Sequence, residues 1–345
     1  MSETNQRYDV VVIGGGAAGL SGALALARAR RSVLVIDSGS PRNAPASHVH
    51  NYLGREGTPP SELLAIGRAE AADYGAEIVR GDAVSAERLP DGFRVVRGDG
   101  GVVRARHLLV TTGLVDELPP VEGLAERWGR EVLHCPYCHG WEVRDTAVGV
   151  LALSPMAVHQ ALLWRQWTDD VVLFRHEQAD FGDEEYEQLA ARGISVLDGA
   201  VASLEVADDR LTGVRLAGGT VIPLAALVVQ PRFTARSAVL ESLGLVPTEM
   251  VVGDHVVGTY IAADPAGATD VPGVRVAGNV ANLMEQVVGS AAAGLKAASM
   301  INMDLVTEDT GRAVDARRAP FSAEAERQVT ERVLGDRRHG LTEAR

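Results

Sequence analysis

The chain has 345 residues, enough for about two domains, and 46% hydrophobic with 23% charged residues excludes a disordered, collagen-like or low-complexity protein. With 33 Lys and Arg against 46 Asp and Glu, a net charge of −13 would repel phosphate backbones and anionic lipid, which excludes nucleic-acid and membrane-surface partners. Cys135 and Cys138 are the two cysteines, too few and too closely spaced for a secreted disulfide scaffold.

Residues 10–27 are uncharged and could pass for a membrane span, but Gly14, Gly15, Gly16, Gly19 and Gly22 make a poor spanning helix. Glu3, Arg7 and Asp9 before them are not the basic flank of a signal peptide, so the expected location is the cytoplasm. The β-branched run 8–13 predicts a strand buried on both faces. Gly14, Gly16 and Gly19 follow in G-x-G-x-x-G spacing, then Ala- and Leu-rich helical sequence from Ala17 and Ala18 to about residue 29. A second strand, 32–36, ends at Asp37. The first glycine permits a tight turn, the second lets the backbone approach a pyrophosphate, and the third lets helix pack on strand. The helix N-terminus then faces the phosphates, and Asp37 can accept hydrogen bonds from ribose hydroxyls. This unit binds a dinucleotide; alone it does not separate FAD from NAD.

Strand-like runs between 93 and 110 flank Gly98-Asp99-Gly100-Gly101, a hairpin signal, and lead to Thr111-Thr112-Gly113. Pro119-Pro120 marks a crossover to a second domain. There, strand 146–153, helix 157–167 and strand 171–174 form a second β-α-β unit, followed by a hairpin over 215–222 and a strand at 227–229. Pro231 and Pro247 bracket the return, strand 274–278 follows, and a small-residue helix spans about 289–300. In the charged C-terminal region Phe321, Ala325, Val329 and Val333 recur every four positions, predicting an amphipathic helix from near Pro320 to Gly335 that docks on the body or a partner subunit.

Gly14-Gly15-Gly16-Ala17-Ala18-Gly19, Thr111-Thr112-Gly113, Cys135-Pro136-Tyr137-Cys138 and Val276-Ala277-Gly278-Asn279 fall in the order seen in thioredoxin reductase-like flavoproteins, which the chain resembles over about residues 8–305. The resemblance implies an α/β fold of two Rossmann-like three-layer domains. A discontinuous FAD domain (1–116 and 246–310) would carry a CxxC-bearing domain (117–245) inserted within it, followed by a charged helical tail (311–345). It also implies a homodimer. Carried over position by position, the expected FAD contacts are Gly14, Gly16, Ala17, Ala18, Gly19, Asp37, Ser38, Arg42, Asn43, His50, Asn51, Ala83, Val84, Thr112, Gly113, Gly278, Asn279, Gln286 and Val287. Asn279 stands where the family usually has Asp. His48 and His50 are closely spaced, but no carboxylate or cysteine cluster supports a metal, and none is expected.

The Cys135-Pro136-Tyr137-Cys138 run reads first as a redox pair: two thiols three apart at the start of a helical turn can close a disulfide, and Pro136 suits the first helical position. The helix N-terminus, His134 and His139 favour the reactive thiolate. Zinc would need a second C-x-x-C; haem attachment through C-x-x-C-H expects an exported protein; the glutaredoxin tetrapeptide sits near the start of a small domain. By resemblance Cys138 lies against the flavin and Cys135 exchanges with substrate. His139 occupies the place of an acid–base Asp, with His134 as the competing base.

The chain departs from the family in the second β-α-β unit, where Leu151-Ala152-Leu153-Ser154-Pro155-Met156-Ala157 replaces the glycine-rich turn. Side chains would crowd a pyrophosphate and Pro155 removes a donor. After the next strand, Arg175-His176 is followed by Glu177 instead of further basic residues. Productive NADPH binding is not expected. The resulting expectation is an FAD-dependent oxidase converting a small-molecule dithiol to its disulfide with dioxygen reduced to hydrogen peroxide. That pattern resembles the oxidases that close disulfides in natural products such as gliotoxin and holomycin. A disulfide reductase fed by NADPH or ferredoxin, and a non-enzymatic FAD-binding redox sensor, are the alternatives.

Overall fold

Strand Arg7–Ile13 pairs in parallel with Val33–Asp37 on one side and Val102–Val110 on the other. Glu77–Arg80 extends this row outward, and Val274–Val276 lies parallel to Leu108, Leu109 and Val110. Gly92–Arg97 and Ala83–Leu89 continue the sheet as an antiparallel meander, making seven strands. The computed structural model describes residues 7–176, 180–318 and 323–334, so Glu177, Pro320, Phe321 and Gly335 lie outside the described residues.

The β-branched run forms a central strand because both sheet faces are covered: Val10, Val11 and Val12 are fully buried. Val11 packs with Leu34, Leu108, Val239 and Leu240, while alternation turns Val10 and Val12 to the opposite face. Helix Ala17–Arg28 meets helix Val287–Arg318 almost backbone to backbone. A Cβ added at Gly294 would fall 1.9 Å from the Ala18 carbonyl oxygen, which accounts for the small residues at this crossing.

A second, all-parallel sheet has five strands in the order Ser195–Leu197, Val171–Phe174, Val148–Leu151, Ala226–Val229, Val132–Leu133. Helix Ala157–Trp164 supplies Ala157, Val158, Ala161 and Trp164 to one face, and Phe174, Leu204 and Val214 lie in the core on the other. The expected hairpin over 215–222 is part of a three-stranded sheet of Val201–Ala207, Arg210–Leu216 and Val221–Pro223. A four-stranded sheet joins Thr248–Val252, His255–Tyr260, Arg232–Ala235 and Leu114–Glu117.

The small-residue helix differs from expectation. It starts at Val287 and continues through the start of the charged tail to Arg318. No proline interrupts this span, and its one glycine after residue 300, Gly311, costs only about 1 kcal/mol. A further helix spans Ala323–Leu334. The chain divides into two compact units, Met1–Ser299 and Met300–Arg345, and the described strands all belong to the first. Among the described residues no helix is long and apolar enough to cross a membrane.

Gly294→Val should therefore destabilise the protein by about 1–3 kcal/mol or more, because a backbone carbonyl stands where the new side chain begins. Chemical denaturation of the purified variant measures this, and an unchanged midpoint would remove the close helix crossing from the account.

Candidate active site

The C-terminal ends of Arg7–Ile13, Val33–Asp37, Val102–Val110 and Val274–Val276 share one sheet edge and open into a cavity of about 600 Å³. Gly14 turns the chain there at φ +107°, a conformation that side chains oppose, and the Thr111 hydroxyl donates to the Ile13 and Gly14 carbonyls. A Cβ at Gly16 would meet nothing within 4 Å, and no side chain caps the helix that follows. Gly19 does not line the cavity: a Cβ there would sit 1.9 Å from the Gly14 carbonyl oxygen, so it closes helix onto strand. Asp37 accepts N–H bonds from Gly15 and Gly39 at 3.2 Å and from Arg68 at 3.1 Å. This open cradle with an uncapped helix end fits a dinucleotide pyrophosphate.

Ala17, Ala18, Ser38, Arg42, Asn43, His50, Thr112, Gly113, Gly278, Asn279, Gln286 and Val287 line the same cavity. Three of them have commitments the sequence did not reveal. Arg42 donates from two nitrogens to Asp116, at 2.8 and 2.6 Å, with its guanidinium 5.2 Å from the Phe233 ring centroid. The Asn279 amide donates to the carbonyls of Asn282, Leu283 and Glu285, a set of bonds an aspartate could not make. His50 stands between Glu56 at 2.6 Å and Glu142 at 3.4 Å. Ala83 and Val84 are not among the lining residues; they open an antiparallel strand, where Val84 is exposed. Asn51 lines a neighbouring cavity and donates to the Tyr137 carbonyl at 2.6 Å.

The cysteine pair borders the large cavity on a four-residue helix, Pro136–His139, with Cys135 as its N-cap. Both cysteines are free thiols, and their sulfurs are hydrogen-bonded to each other. The Cys138 side chain together with the backbone N–H groups of Cys138 and Tyr137, and the charge of Arg42, bring the Cys135 thiol down to about 7. The neighbouring Cys135 sulfur and burial push Cys138 upward, so the first thiolate forms at Cys135. Burial lowers His134 to about 4, and Arg42 adds to the effect. The Val229 carbonyl and the Asp116 carboxylate oppose part of that shift, and Nδ1 is buried without a partner. His139 is also lowered by burial, opposed by the nearby Glu142 carboxylate.

The second β-α-β turn is closed upon itself. Ser154 is buried, its Oγ accepts the Met156 N–H at 3.3 Å and its carbonyl accepts the Ala157 N–H at 3.1 Å. Those donors are the ones a glycine-rich turn would hold out to a pyrophosphate. Arg175 is likewise committed, to Asp180 at 2.9 Å and Asp198 at 2.8 Å.

Sequence reasoning did not single out Asp116, Phe233, Glu56 or Glu142. Glu142 lies within one turn of His139 in sequence and Glu56 six positions beyond His50, signals that could have been used; Asp116 and Phe233 come from distant segments and reach the site through tertiary pairing.

Comparison with known proteins agrees with this geometry. The family model described as pyridine nucleotide-disulphide oxidoreductase matches residues 8–294, and the chain belongs to that family. Thioredoxin reductase tcpT of Claviceps purpurea is 30% identical over 328 residues, covering 90% of this chain and 98% of the relative. Thioredoxin reductase sirT of Leptosphaeria maculans is 30% identical over 319 residues, covering 88% and 95%. The crystal structure of HlmI is 46% identical with a TM-score of 0.85, covering 93% of this chain and 99% of that one. An oxidoreductase from Agrobacterium tumefaciens is 34% identical with a TM-score of 0.81, covering 88% and 99%. The chain is a thioredoxin reductase-like disulfide oxidoreductase, and FAD is the cofactor of its family.

Alkylation of the reduced protein by iodoacetamide should rise through a midpoint near pH 7 at Cys135, because the reactive thiolate is populated above the value of about 7. Cys138 should label far more slowly across pH 5–9, and Arg42→Gln should move the Cys135 midpoint upward. Mass-resolved labelling reads both sites; a wild-type midpoint near the ordinary thiol value of about 8.5 would contradict this electrostatic picture.

Proposed function

We propose that this protein is an FAD-dependent dithiol oxidase, converting a small-molecule dithiol to its disulfide while dioxygen becomes hydrogen peroxide. The observation that carries the proposal is the closed turn at Ser154–Ala157 beside an intact Cys135/Cys138 pair. A side chain and a carbonyl occupy the donors that a nicotinamide dinucleotide would need, and Arg175 is already neutralised, so the electrons are best supplied from the thiol side.

In the proposed cycle a substrate thiolate attacks the Cys135 sulfur of the oxidised pair. A substrate–Cys135 bond forms, the Cys135–Cys138 bond breaks, and Cys138 leaves as thiolate. The second substrate thiol then loses its proton and attacks the substrate sulfur of the mixed disulfide, releasing product and the Cys135 thiolate. Two electrons have passed from the dithiol to the pair, which is left as two thiolates, and the two protons the dithiol has lost have gone to the neighbouring base and to solvent. FAD, when bound, supplies the two-electron chemistry that returns the pair to the disulfide and reduces dioxygen to hydrogen peroxide.

His139 is the better proton acceptor of the two histidines. His134, at about 4, is too weak a base to hold a proton near neutrality, whereas the Glu142 carboxylate raises the proton affinity of His139 against the effect of burial. Arg42 stabilises the thiolates while Asp116 fixes its guanidinium. The names of the relatives favour a second reading, an NADPH-fed disulfide reductase, and one experiment separates the two.

Under anaerobic conditions a dithiol such as dithiothreitol should bleach the flavin rapidly and NADPH should not; in air the dithiol should drive oxygen uptake with peroxide formation. Rapid bleaching by NADPH would establish the reductase reading instead. Cys135→Ser and Cys138→Ser should each abolish turnover. His139→Ala should retain flavin and slow thiol exchange by roughly 10²- to 10⁴-fold, with a much smaller effect at His134→Ala. The reverse order would move the base to His134.

A further inference from the structure

A second cavity, of about 580 Å³, lies beside the redox helix on the side of the His48–Gly57 loop. His50, Pro136 and Tyr137 border both this cavity and the large one, so it adjoins the site one residue from Cys135. Its other walls include Glu56, Glu142, Trp141 and Trp167, and no Lys or Arg is among its lining residues. The wall shared with the redox helix is fixed. Asn51 donates to the Tyr137 carbonyl, and the Tyr137 and Trp167 rings meet edge to face at 5.6 Å. Arg144 lies 4.1 Å from the Trp141 ring centroid, while Trp141 remains 65% exposed, which leaves ring surface open to a ligand.

We infer that this cavity holds the non-reacting body of the dithiol and selects substrates whose body is uncharged or cationic and carries a flat unsaturated ring. The inference rests on the dithiol oxidase reading. Tyr137, Trp141 and Trp167 offer aromatic surface next to Cys135, the sulfur under attack, on which a ring can stack. The carboxylates of Glu56 and Glu142 accept hydrogen bonds from N–H groups and repel an anionic body. His50 contacts both carboxylates and His48 also lines the cavity, but no Lys or Arg does, so no permanent cation of the lining balances the two acids. The chain's net charge of −13 acts in the same direction.

Three dithiols with identical reacting atoms test this: dihydrolipoate, dihydrolipoamide and the reduced N-benzyl amide of lipoic acid. The rate at which each reduces the holoenzyme is measured in one anaerobic turnover and normalised to dithiothreitol. Each reduction exchanges two substrate thiols and one protein disulfide for one substrate disulfide and two protein thiols. The amide should exceed the acid by about 3- to 10-fold at low salt, and the difference should shrink as salt screens it. Glu56→Gln and Glu142→Gln should each reduce the amide-to-acid ratio; a loss common to all substrates at Glu142→Gln belongs to His139 and leaves the ratio untouched. The benzyl amide should exceed the amide, and Trp141→Ala should abolish that gain. Binding of oxidised lipoamide and lipoate, read by tryptophan fluorescence, should show the same preference. Equal rates and equal binding for acid and amide, or ratios unmoved by both Gln variants, overturn the inference. Failure of all the dithiols, dithiothreitol included, to reduce the protein overturns the oxidase reading, and the binding comparison then still decides whether this cavity discriminates by charge.

Discussion

Cys135 stands at the N-cap of a four-residue helix, where the peptide groups of that end, the Cys138 side chain and the charge of Arg42 act on its thiol, and that placement requires the helix to hold its shape. So short a helix has no stability of its own, because one turn fixes several dihedrals for little hydrogen bonding. Its surroundings impose it. Asn51 ties the Tyr137 carbonyl to a loop from the first β-α-β region, and Trp167 packs against Tyr137. Gly140 leaves the helix against the Trp167 ring, where an added Cβ would lie 2.8 Å from a ring carbon. The thiol's acidity is thus a tertiary property, set by segments far apart in sequence.

The second Rossmann-like sheet retains an architecture whose usual ligand contacts have been turned inward. Ser154 accepts the turn's own N–H, and Asp180 and Asp198 hold Arg175. Burial of Val148, Val150, Leu151, Phe174 and Val228 nevertheless gives this sheet a complete core. That core carries Val132–Leu133 as an edge strand, and the chain passes directly from Leu133 through His134 to Cys135. The sheet is thus the platform from which the chain enters the helix that bears the two cysteines.

The parts legible in the sequence were those dictated locally. The run at Val10–Val12, the glycine spacing and Asp37 are bound to their roles by backbone geometry, and the strand Val171–Phe174 follows from four consecutive apolar residues. Helix Pro60–Asp73 and hairpin Thr248–Tyr260 were missed, the latter because Met250 and exposed Val251 and Val252 do not alternate cleanly between two faces. The long reach of helix Val287–Arg318 was cut short by reading its small-residue segment as the whole element. At the site, residue types announced the thiols but not their field. The Arg42–Asp116 pair spans 74 positions, and nothing in either local sequence announces the other.

That pair also explains how the half-buried cysteine pair tolerates charge. An unpaired guanidinium beside two thiols would be costly to desolvate, but two hydrogen bonds to Asp116 satisfy it while leaving its positive field on both sulfurs. His134 and His139 are both held toward the neutral form, so neither adds a second permanent cation. The Cys135 thiolate is therefore stabilised enough to form near neutrality, yet not locked into an ion pair of its own that would suppress its attack on sulfur. A thiol whose acidity lies near ambient pH combines a populated thiolate with retained nucleophilicity, and here that balance comes from an arginine shared between a carboxylate and two sulfurs.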